Sequence, residues 1–279
     1  MTTMRDALGR EVSLEAVPQR VVSLLPSETE NVVQLAGPER LVGRTDYCPE
    51  PDGRSVPSVG GTKKFHVDAV VELAPDLVLA NQEENGRRDV ERLIEAGITV
   101  YVGFPQTVDG ALDHLDALAR LLGAGESLAQ EVRLAVRSSQ PVTTPRRVFV
   151  PIWREPFMTF DHRTYASDVL RQAGGDNVFA DRPRRFPLAA DVGTAPSVSR
   201  PDADTRYPRT SLAEVIARAP DVVLLPDEPY AFQPEHADAL RAGGVQAECC
   251  FVSGKDLFWP GVRTGEAIQR LRRLLQPEA

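Results

Sequence analysis

Short apolar runs rich in Val and Leu alternate along this chain with longer stretches in which apolar residues recur every three or four positions. The short runs are typical of buried strands, and the longer stretches have the period of amphipathic helices. An alternation of strands and helices predicts an α/β fold with parallel sheets. Strands are predicted at 21–25, 77–80, 99–102, 147–152, 222–225 and 248–252, and helices at 28–36, 67–73, 87–95, 107–122, 126–139, 165–173, 211–218, 234–242 and 262–275.

The two halves of the chain resemble each other. An Ala-Pro-Asp motif at 74–76 recurs at 219–221, and an apolar run follows it both times. Upstream, Arg-Val-Val at 20–22 is matched by Arg-Val-Phe at 147–149, so the matches occur in the same order in both halves. Repeated matches in register indicate two lobes built on one plan.

A Leu- and Ala-rich segment lies between the two lobes. Its second helix, predicted to end before Pro141 and Pro145, would span roughly 21 Å at about 1.5 Å per residue and act as a stiff strut. The predicted organisation is an N-terminal lobe (1–122), a connecting backbone helix (123–145) and a C-terminal lobe (146–279). Residues 187–209 have no apolar period and are interpreted as a loop inserted into the second lobe.

Composition narrows the function classes. Among 279 residues, 40 Asp and Glu outnumber 32 Lys and Arg, and the net charge of −8 opposes binding to nucleic acid or anionic membranes. Three cysteines do not make a disulfide framework. The first residues lack the apolar run of a secretory signal, so a cytoplasmic protein is expected from the sequence as it stands. A periplasmic or extracellular protein whose leader was removed is the alternative.

Candidate binding residues follow the predicted strands. Ligands of parallel α/β proteins bind at the carboxyl ends of the strands, so the residues that come next are informative. Amides, carboxylates and both tryptophans occur there, which suits a bulky ligand with apolar faces and polar edges. These candidates are Asn81, Glu83, Glu84, Asn85, Trp153, Glu155, Met158, Tyr230, Phe258 and Trp259.

Motifs of catalysis and metal binding are missing from the sequence. There is no phosphate-binding glycine loop, nucleophile elbow or zinc-protease motif. The four histidines share no ligand spacing and are interpreted as surface or capping residues. Ser-Glu-Thr-Glu at 27–30 predicts a capping box at the start of a helix. No metal site is predicted, although Cys48, after Tyr47, is a candidate for a soft ligand or a reactive thiol.

Three segments carry a family resemblance. Arg20–Glu30, Val59–Lys63 and Leu73–Val78 resemble the helical-backbone substrate-binding proteins of ABC importers, in particular the cobalamin- and ferric-siderophore-binding group. The resemblance covers nearly the whole chain, with Ala173–Phe179 marking the second lobe. It implies two Rossmann-like lobes with parallel sheets, joined by a single long backbone helix. It also implies a ligand such as cobalamin, haem or an iron chelate in the cleft between the lobes.

Five further residues complete the set of candidates, and the same resemblance implies a partner. Pro26, Thr62 and Lys63 lie in the matching segments, and Tyr47 and Cys48 are added as ligand-binding candidates. Importers of this family dock on a permease through an exposed glutamate on each lobe. Here Arg87 and Ala213 occupy those positions, with Glu84 and Glu214 nearby. A permease is therefore a possible partner whose docking glutamates are replaced.

The leading hypothesis is a non-catalytic protein that binds a cobalamin-like corrinoid or an iron chelate, as an importer component or as an intracellular derivative of one. It needs no catalytic cofactor. One alternative is a chelatase-like enzyme acting on a tetrapyrrole or metal chelate with Glu83, Glu84 or Glu155 as acid or base. The other is an interaction module with an empty cleft.

Overall fold

Parallel strands assemble into two four-stranded sheets in the computed structural model, which describes residues 1–125, 127–137, 142 and 144–276. In the first half of the chain the elements are β1 (Thr2–Arg5), β2 (Glu11–Leu14), β3 (Val21–Ser23), α1 (Pro26–Ala36), β4 (Leu41–Arg44), α2 (Val67–Glu72), β5 (Leu77–Asn81), α3 (Arg87–Glu95), β6 (Val100–Gly103), α4 (Val108–Leu121) and α5 (Ser127–Arg137). In the second half they are β7 (Arg146–Phe149), β8 (Phe157–Met158), α6 (Tyr165–Ala173), β9 (Gly175–Asn177), α7 (Leu188–Asp191), β10 (Arg209–Thr210), α8 (Leu212–Ala217), β11 (Val222–Pro226), α9 (Pro234–Ala242), β12 (Glu248–Val252), α10 (Gly254–Phe258) and α11 (Thr264–Leu275).

The two sheets have the same topology. One has the strand order β4-β3-β5-β6 and the other β9-β7-β11-β12, and all neighbours within them are parallel. Val21 pairs with Leu77 in the first sheet, and their counterparts Val148 and Val222 pair in the second. The structure therefore confirms an α/β fold in which both halves follow one plan.

The chain divides into two units. Unit 1 comprises Met1–Pro105, Asp109–Leu134 and Pro260–Val262, and unit 2 comprises Gln106–Val108, Ala135–Trp259 and Arg263–Ala279. The predicted connecting segment 123–145 includes α5, but residues 126, 138–141 and 143 lie outside the described part of the chain. The three-part division with that connecting helix stays a prediction.

Both faces of the first sheet are buried. Val21, Leu77 and Leu79 face one core cluster, whereas Val22 and Val78 face another. Successive side chains of a strand point to opposite faces, so a sheet covered on both sides needs a continuous apolar run. This is why the sequence pattern located the central strands.

The repeated motifs make the same pair of hydrogen bonds at the amino edge of each sheet. This contact between the arginine before the first strand and the Ala-Pro-Asp motif is called the latch below. In unit 1 the Asp76 carboxylate accepts the Arg20 backbone N–H at 2.9 Å, and the Arg20 guanidinium donates to the Ala74 carbonyl at 3.1 Å. In unit 2 Asp221 accepts the Arg147 N–H at 2.8 Å. The Arg147 guanidinium donates to the Ala219 carbonyl at 3.1 Å. The same contact between this arginine and the Ala-Pro-Asp motif thus occurs once in each unit.

Helices α2 and α8 both end at an alanine with left-handed backbone. Ala74 has a φ of 43° and Ala219 a φ of 44°. Each follows the helix C-cap, where glycine is favoured because a Cβ is strained at positive φ. Both alanine side chains are exposed, so no packing interaction offsets the strain.

The sequence pattern missed several short elements and misplaced one cap. Strands β4 and β9 were not predicted, and residues 187–209, predicted as a loop, contain α7. The capping box at 27–30 was wrong, because α1 begins at Pro26 after Leu25, which makes no side-chain cap. Among the described residues, every helix is too short or too polar to cross a membrane.

Candidate functional site

The candidate residues of unit 1 lie at the carboxyl edge of its sheet, where Asn85 joins three loops. The Asn85 side-chain amide donates to the Leu24 carbonyl at 3.1 Å and to the Thr62 carbonyl at 2.9 Å. Its Oδ1 accepts the Asn81 backbone N–H at 2.7 Å. Asn85 is buried and its amide is engaged with backbone. It therefore holds the loops after β3 and β5 against the loop that contains Thr62.

Asn81 and Lys63 shape the neighbouring turn. The Asn81 Oδ1 accepts the backbone N–H groups of Glu83 at 2.8 Å and of Glu84 at 3.2 Å. The Lys63 ammonium donates to the Glu83 carbonyl. Surrounding protein raises the pKa of the Glu84 carboxyl although the side chain reaches solvent, and the charge of Lys63 opposes the shift. Lys63, Glu83 and Glu84 thus bring mixed charge to this edge.

Tyr47 and Cys48 are neighbours with opposite environments. Tyr47 is 74% exposed, whereas Cys48 is 4% exposed and its thiol lies 3.1 Å from the Thr45 hydroxyl. Burial raises the pKa of the Cys48 thiol. Of the two, only Tyr47 presents its side chain at the surface. Pro26, the first residue of α1, is half-buried.

A buried contact between a histidine and a glutamate in unit 1 was not predicted. The imidazole Nε2 of His114 lies 2.5 Å from Glu28 Oε1, and both residues are buried. Asn31 donates to the other Glu28 oxygen at 3.2 Å. The interpretation of all four histidines as surface or capping residues was therefore wrong for His114. Burial and the negative charge of Glu28 raise the pKa of Tyr101, which stacks on His114, to about 12.

In unit 2 an aromatic group lies after β7 and β11. Trp153 is 48% exposed and meets Tyr230 edge to face, with ring centroids 5.4 Å apart. Tyr230 in turn contacts Phe232 at 4.8 Å and His236 at 5.6 Å. These four rings are called the aromatic group below. It offers a partly exposed indole supported from behind by other rings.

The loop that carries Trp153 is a tight hairpin. The Met158 backbone N–H donates to the Trp153 carbonyl at 3.1 Å, and the Met158 carbonyl accepts from Ile152 at 2.7 Å. Glu155 lies at the tip with a φ of 64°, and its carboxylate is 3.4 Å from the Arg154 guanidinium. The hairpin therefore exposes an aromatic side chain and a charge pair together.

The second tryptophan has a different environment from the first. Trp259 is 8% exposed, with the Lys255 ammonium 4.7 Å and the Arg263 guanidinium 5.6 Å from its ring. Its side chain also donates to Glu228, a contact that lowers the pKa of this carboxyl against the larger raising effect of burial. Phe258 packs edge to face on Phe160 at 6.1 Å, behind the surface. Of the two tryptophans, Trp153 is thus the accessible one.

A cavity of about 290 Å³ opens next to the aromatic group, between the tip of the Trp153 hairpin, the start of α8 and helix α9. Glu155 is the one sequence-predicted candidate on its wall. Arg154, Ser211 and His236 also line it and were not among the predicted residues. His236 could have been noticed, since Gln233 and His236 form a capping box for α9.

The segment 187–209 is anchored by a buried ion network. Arg182 donates to the Asp191 carboxylate at 2.9 Å and to Glu214 at 3.1 Å. Asp191 is buried and also accepts the backbone N–H groups of Arg185 at 2.9 Å and Arg209 at 2.6 Å. The two ends of the segment are thus tied to one carboxylate, and Glu214 is engaged in the same network.

Arg87 and Ala213, the two positions expected to carry docking glutamates, are both at the surface. Arg87 is the first residue of α3 and pairs with Glu91 at 2.7 Å. Ala213 is exposed on α8. Within the described residues, no group of three or more His, Cys, Asp or Glu side chains is arranged to hold a metal ion.

Comparison with known sequences finds one family and a set of relatives. The model of a family described as periplasmic binding protein matches residues 21–242. A vitamin B12-binding protein of Yersinia pseudotuberculosis is 30% identical over 217 residues, which cover 74% of this chain and 74% of that protein. One from Photorhabdus laumondii is 27% identical over 220 residues, covering 76% of this chain and 72% of that protein.

Solved structures share the fold at lower identity. The periplasmic vitamin B12-binding protein BtuF of Vibrio cholerae has a TM-score of 0.67 and 20% identity, covering 94% of this chain and 99% of that one. The periplasmic heme-binding protein RhuT of Roseiflexus sp. RS-1 has a TM-score of 0.71 and 20% identity, covering 91% and 96%. Ceue of Helicobacter pylori with bound Ni(II) has a TM-score of 0.76 and 14% identity, covering 99% and 89%.

Proposed function

Because this chain belongs to the periplasmic binding protein family, we propose that it binds a cobalamin-like corrinoid or an iron chelate without transforming it. Membership of the family confirms the prediction of a binding protein and sets aside the chelatase-like enzyme. Relatives named for vitamin B12 support a corrinoid, and solved structures of heme-binding proteins with the same fold keep a haem-type chelate within the proposal.

The observation that carries the proposal is the half-exposed Trp153 on its support of rings. Removing a flat apolar ring from water is favourable, and an edge-to-face neighbour such as Tyr230 holds the indole in place. The indole face offers a macrocycle or an aromatic chelate a preformed apolar surface. At the carboxyl edge of unit 1, the exposed candidates include Tyr47, Lys63 and Glu84, and Glu83 is half-buried.

Titration with cobalamin, cobinamide, haem and ferric siderophores tests the proposal. We expect at least one to bind with a Kd of about 1 μM or below and to quench the Trp153 fluorescence. Trp153→Ala should weaken that binding about tenfold or more, since a tenfold change corresponds to about 1.4 kcal/mol, the size of one well-packed aromatic contact. Trp153→Phe should restore most of the affinity because it keeps an aromatic face.

Ile216→Ala is the matched control. Ile216 is also an exposed large apolar residue, but it lies in the last turn of α8, next to the latch at the amino edge. Its substitution should leave ligand affinity unchanged. Absence of binding to every chelate in the series at 100 μM would overturn the proposed function.

The proposal extends to a partner and a compartment. The family's description as periplasmic favours the periplasmic alternative over the cytoplasm, and cell fractionation of the native host tests it. An ABC permease is the proposed partner. Its docking would not use a glutamate at either position, since Arg87 and Ala213 occupy them. Arg87→Glu should therefore not strengthen capture of the permease of the native host, measured by co-purification, and stronger capture would contradict this proposal.

A further inference from the structure

The cavity beside the aromatic group has an apolar floor and a polar rim. Phe157, Leu212 and Leu240 supply the floor. The rim is made of side chains from three separate segments, namely Arg154 and Glu155 on the hairpin tip, Ser211 before α8 and His236 on α9. Ser211 and His236 make local hydrogen bonds, and Arg154 pairs with Glu155, so these contacts fix which atoms remain available for a ligand.

His236 presents a donor. Its Nδ1 accepts the backbone N–H of Gln233 at 2.8 Å, as part of the capping box of α9. A ring nitrogen that accepts an N–H carries a lone pair, so the proton of the neutral imidazole is on Nε2. The capping contact therefore selects the tautomer whose free ring atom donates a hydrogen bond.

Ser211 and Arg154 add further donors, and Glu155 adds the acceptor. The Ser211 hydroxyl oxygen accepts the Glu214 N–H at 3.2 Å, which leaves its proton to be donated. Arg154 and Glu155 are 3.4 Å apart, so their charges largely offset each other at the rim. The rim thus combines donors with one carboxylate and has little net charge.

We propose that this cavity is a subsite for a carboxamide group. An amide carbonyl accepts from His236 and Arg154 while its NH₂ group donates to Glu155, so both of its polar ends are satisfied. A carboxylate in the same place would meet the negative charge of Glu155 without a proton to donate to it. A hydrocarbon would leave the donors without partners, which is costly once water is displaced.

The identity of the molecule that carries the amide is inferred from the proposed function. Corrinoids carry acetamide and propionamide arms, whereas haem carries propionates, so an amide subsite beside the aromatic group favours a corrinoid as the bound chelate. The same cavity could instead take a small free carboxamide. The two sources share the recognition chemistry and differ in whether the group arrives attached to a corrin ring.

A pair of corrins tests the preference for amide arms. Dicyanocobinamide and dicyanocobyrinic acid share the ring and differ in carrying amide or carboxylate arms. We expect cobinamide to bind at least tenfold tighter than cobyrinic acid, and Glu155→Gln to reduce that ratio at least fivefold. Glu235→Gln is the control, because it removes the same charge from an exposed residue of α9 that does not line the cavity. Equal affinity for the two corrins, or a ratio that Glu155→Gln leaves unchanged, overturns the subsite.

The four histidines allow a second measurement by NMR. Cobinamide should shift the ring signals of His236, and benzamide at millimolar concentration should shift them and compete, whereas benzoate should not. If cobinamide does not bind and benzamide shifts the His236 signals, the site takes a free amide and the corrinoid source is wrong. Binding of haem with no response of His236 to cobinamide or benzamide would overturn the subsite and leave the proposed function intact.

Discussion

Replacing the two left-handed alanines by glycine should stabilise the protein. Ala74 and Ala219 have φ values of 43° and 44° at equivalent helix ends. Left-handed backbone costs an L-residue about 1–2 kcal/mol, and glycine avoids this cost. Glycine also makes the unfolded chain more flexible, which destabilises the folded protein by about 0.4–1 kcal/mol and offsets part of this gain. Each substitution should therefore raise the free energy of unfolding by about 0.5–1 kcal/mol.

The two sites should contribute additively because they belong to different units. The double variant Ala74→Gly/Ala219→Gly is expected to gain about 1–2 kcal/mol in urea denaturation followed by circular dichroism, with an unchanged slope. Ala96→Gly is the control, since Ala96 is an exposed C-cap with a φ of −74°. It should lose about 0.5–1 kcal/mol. If Ala74→Gly or Ala219→Gly destabilised the protein as much as Ala96→Gly, the assignment of strain to these alanines would be refuted.

Three further predictions concern buried groups. His114→Leu removes the histidine partner of the buried Glu28 side chain, which keeps only Asn31, and should cost about 1–3 kcal/mol in urea denaturation, whereas an unchanged free energy of unfolding would contradict a stabilising role of the pair. Asp191→Ala should expose residues 187–209 to limited proteolysis, read out by mass spectrometry, because Arg182 loses its buried partner, and an unchanged cleavage pattern would contradict the anchoring role. Burial and Glu248 raise the pKa of Cys250 from 9.0 to about 11, so at pH 9 its thiolate fraction should fall from about one half to about one in a hundred. The rate of its labelling by a disulfide reagent should therefore still be rising about tenfold per pH unit at pH 9 in the native protein, whereas it levels off near pH 9 in the unfolded protein. Equal rates for native and unfolded protein at pH 9 would contradict this shift.

The sequence located features that depend on local pattern. The runs at 77–80 and 222–225 were predicted as strands because both faces of a central parallel strand are apolar, and the structure has β5 and β11 there. Strands β4 and β9 were missed because they are short, and Leu-Val-Gly-Arg and Gly-Asp-Asn lack the apolar run of a buried strand. The motifs at 20–22 and 74–76 were recognised as a repeat, but the latch they form requires contact between distant segments.

The candidate site was predictable only in part, because its contacts also join segments that are distant in the sequence. Trp153 and Trp259 both follow strands and could not be told apart by position, yet one is half exposed and the other buried. His114 is separated from Glu28 by 86 positions, so no local spacing links the pair. The cavity is assembled from a hairpin tip, a helix start and a helix face, and its polar groups acquire their roles from backbone contacts that a sequence does not display.

The latch also explains how the second unit tolerates extra chain. It joins Arg20 to Asp76 across 56 positions and Arg147 to Asp221 across 74. The entropy lost on closing a flexible loop grows only with the logarithm of its length, so the longer loop costs about 0.25 kcal/mol more. A segment such as 187–209 can therefore enter this unit at little thermodynamic expense. That segment leads directly into Thr210 and Ser211, which line the cavity. A change in the length of the segment can therefore alter the wall of the cavity with little effect on the free energy of folding.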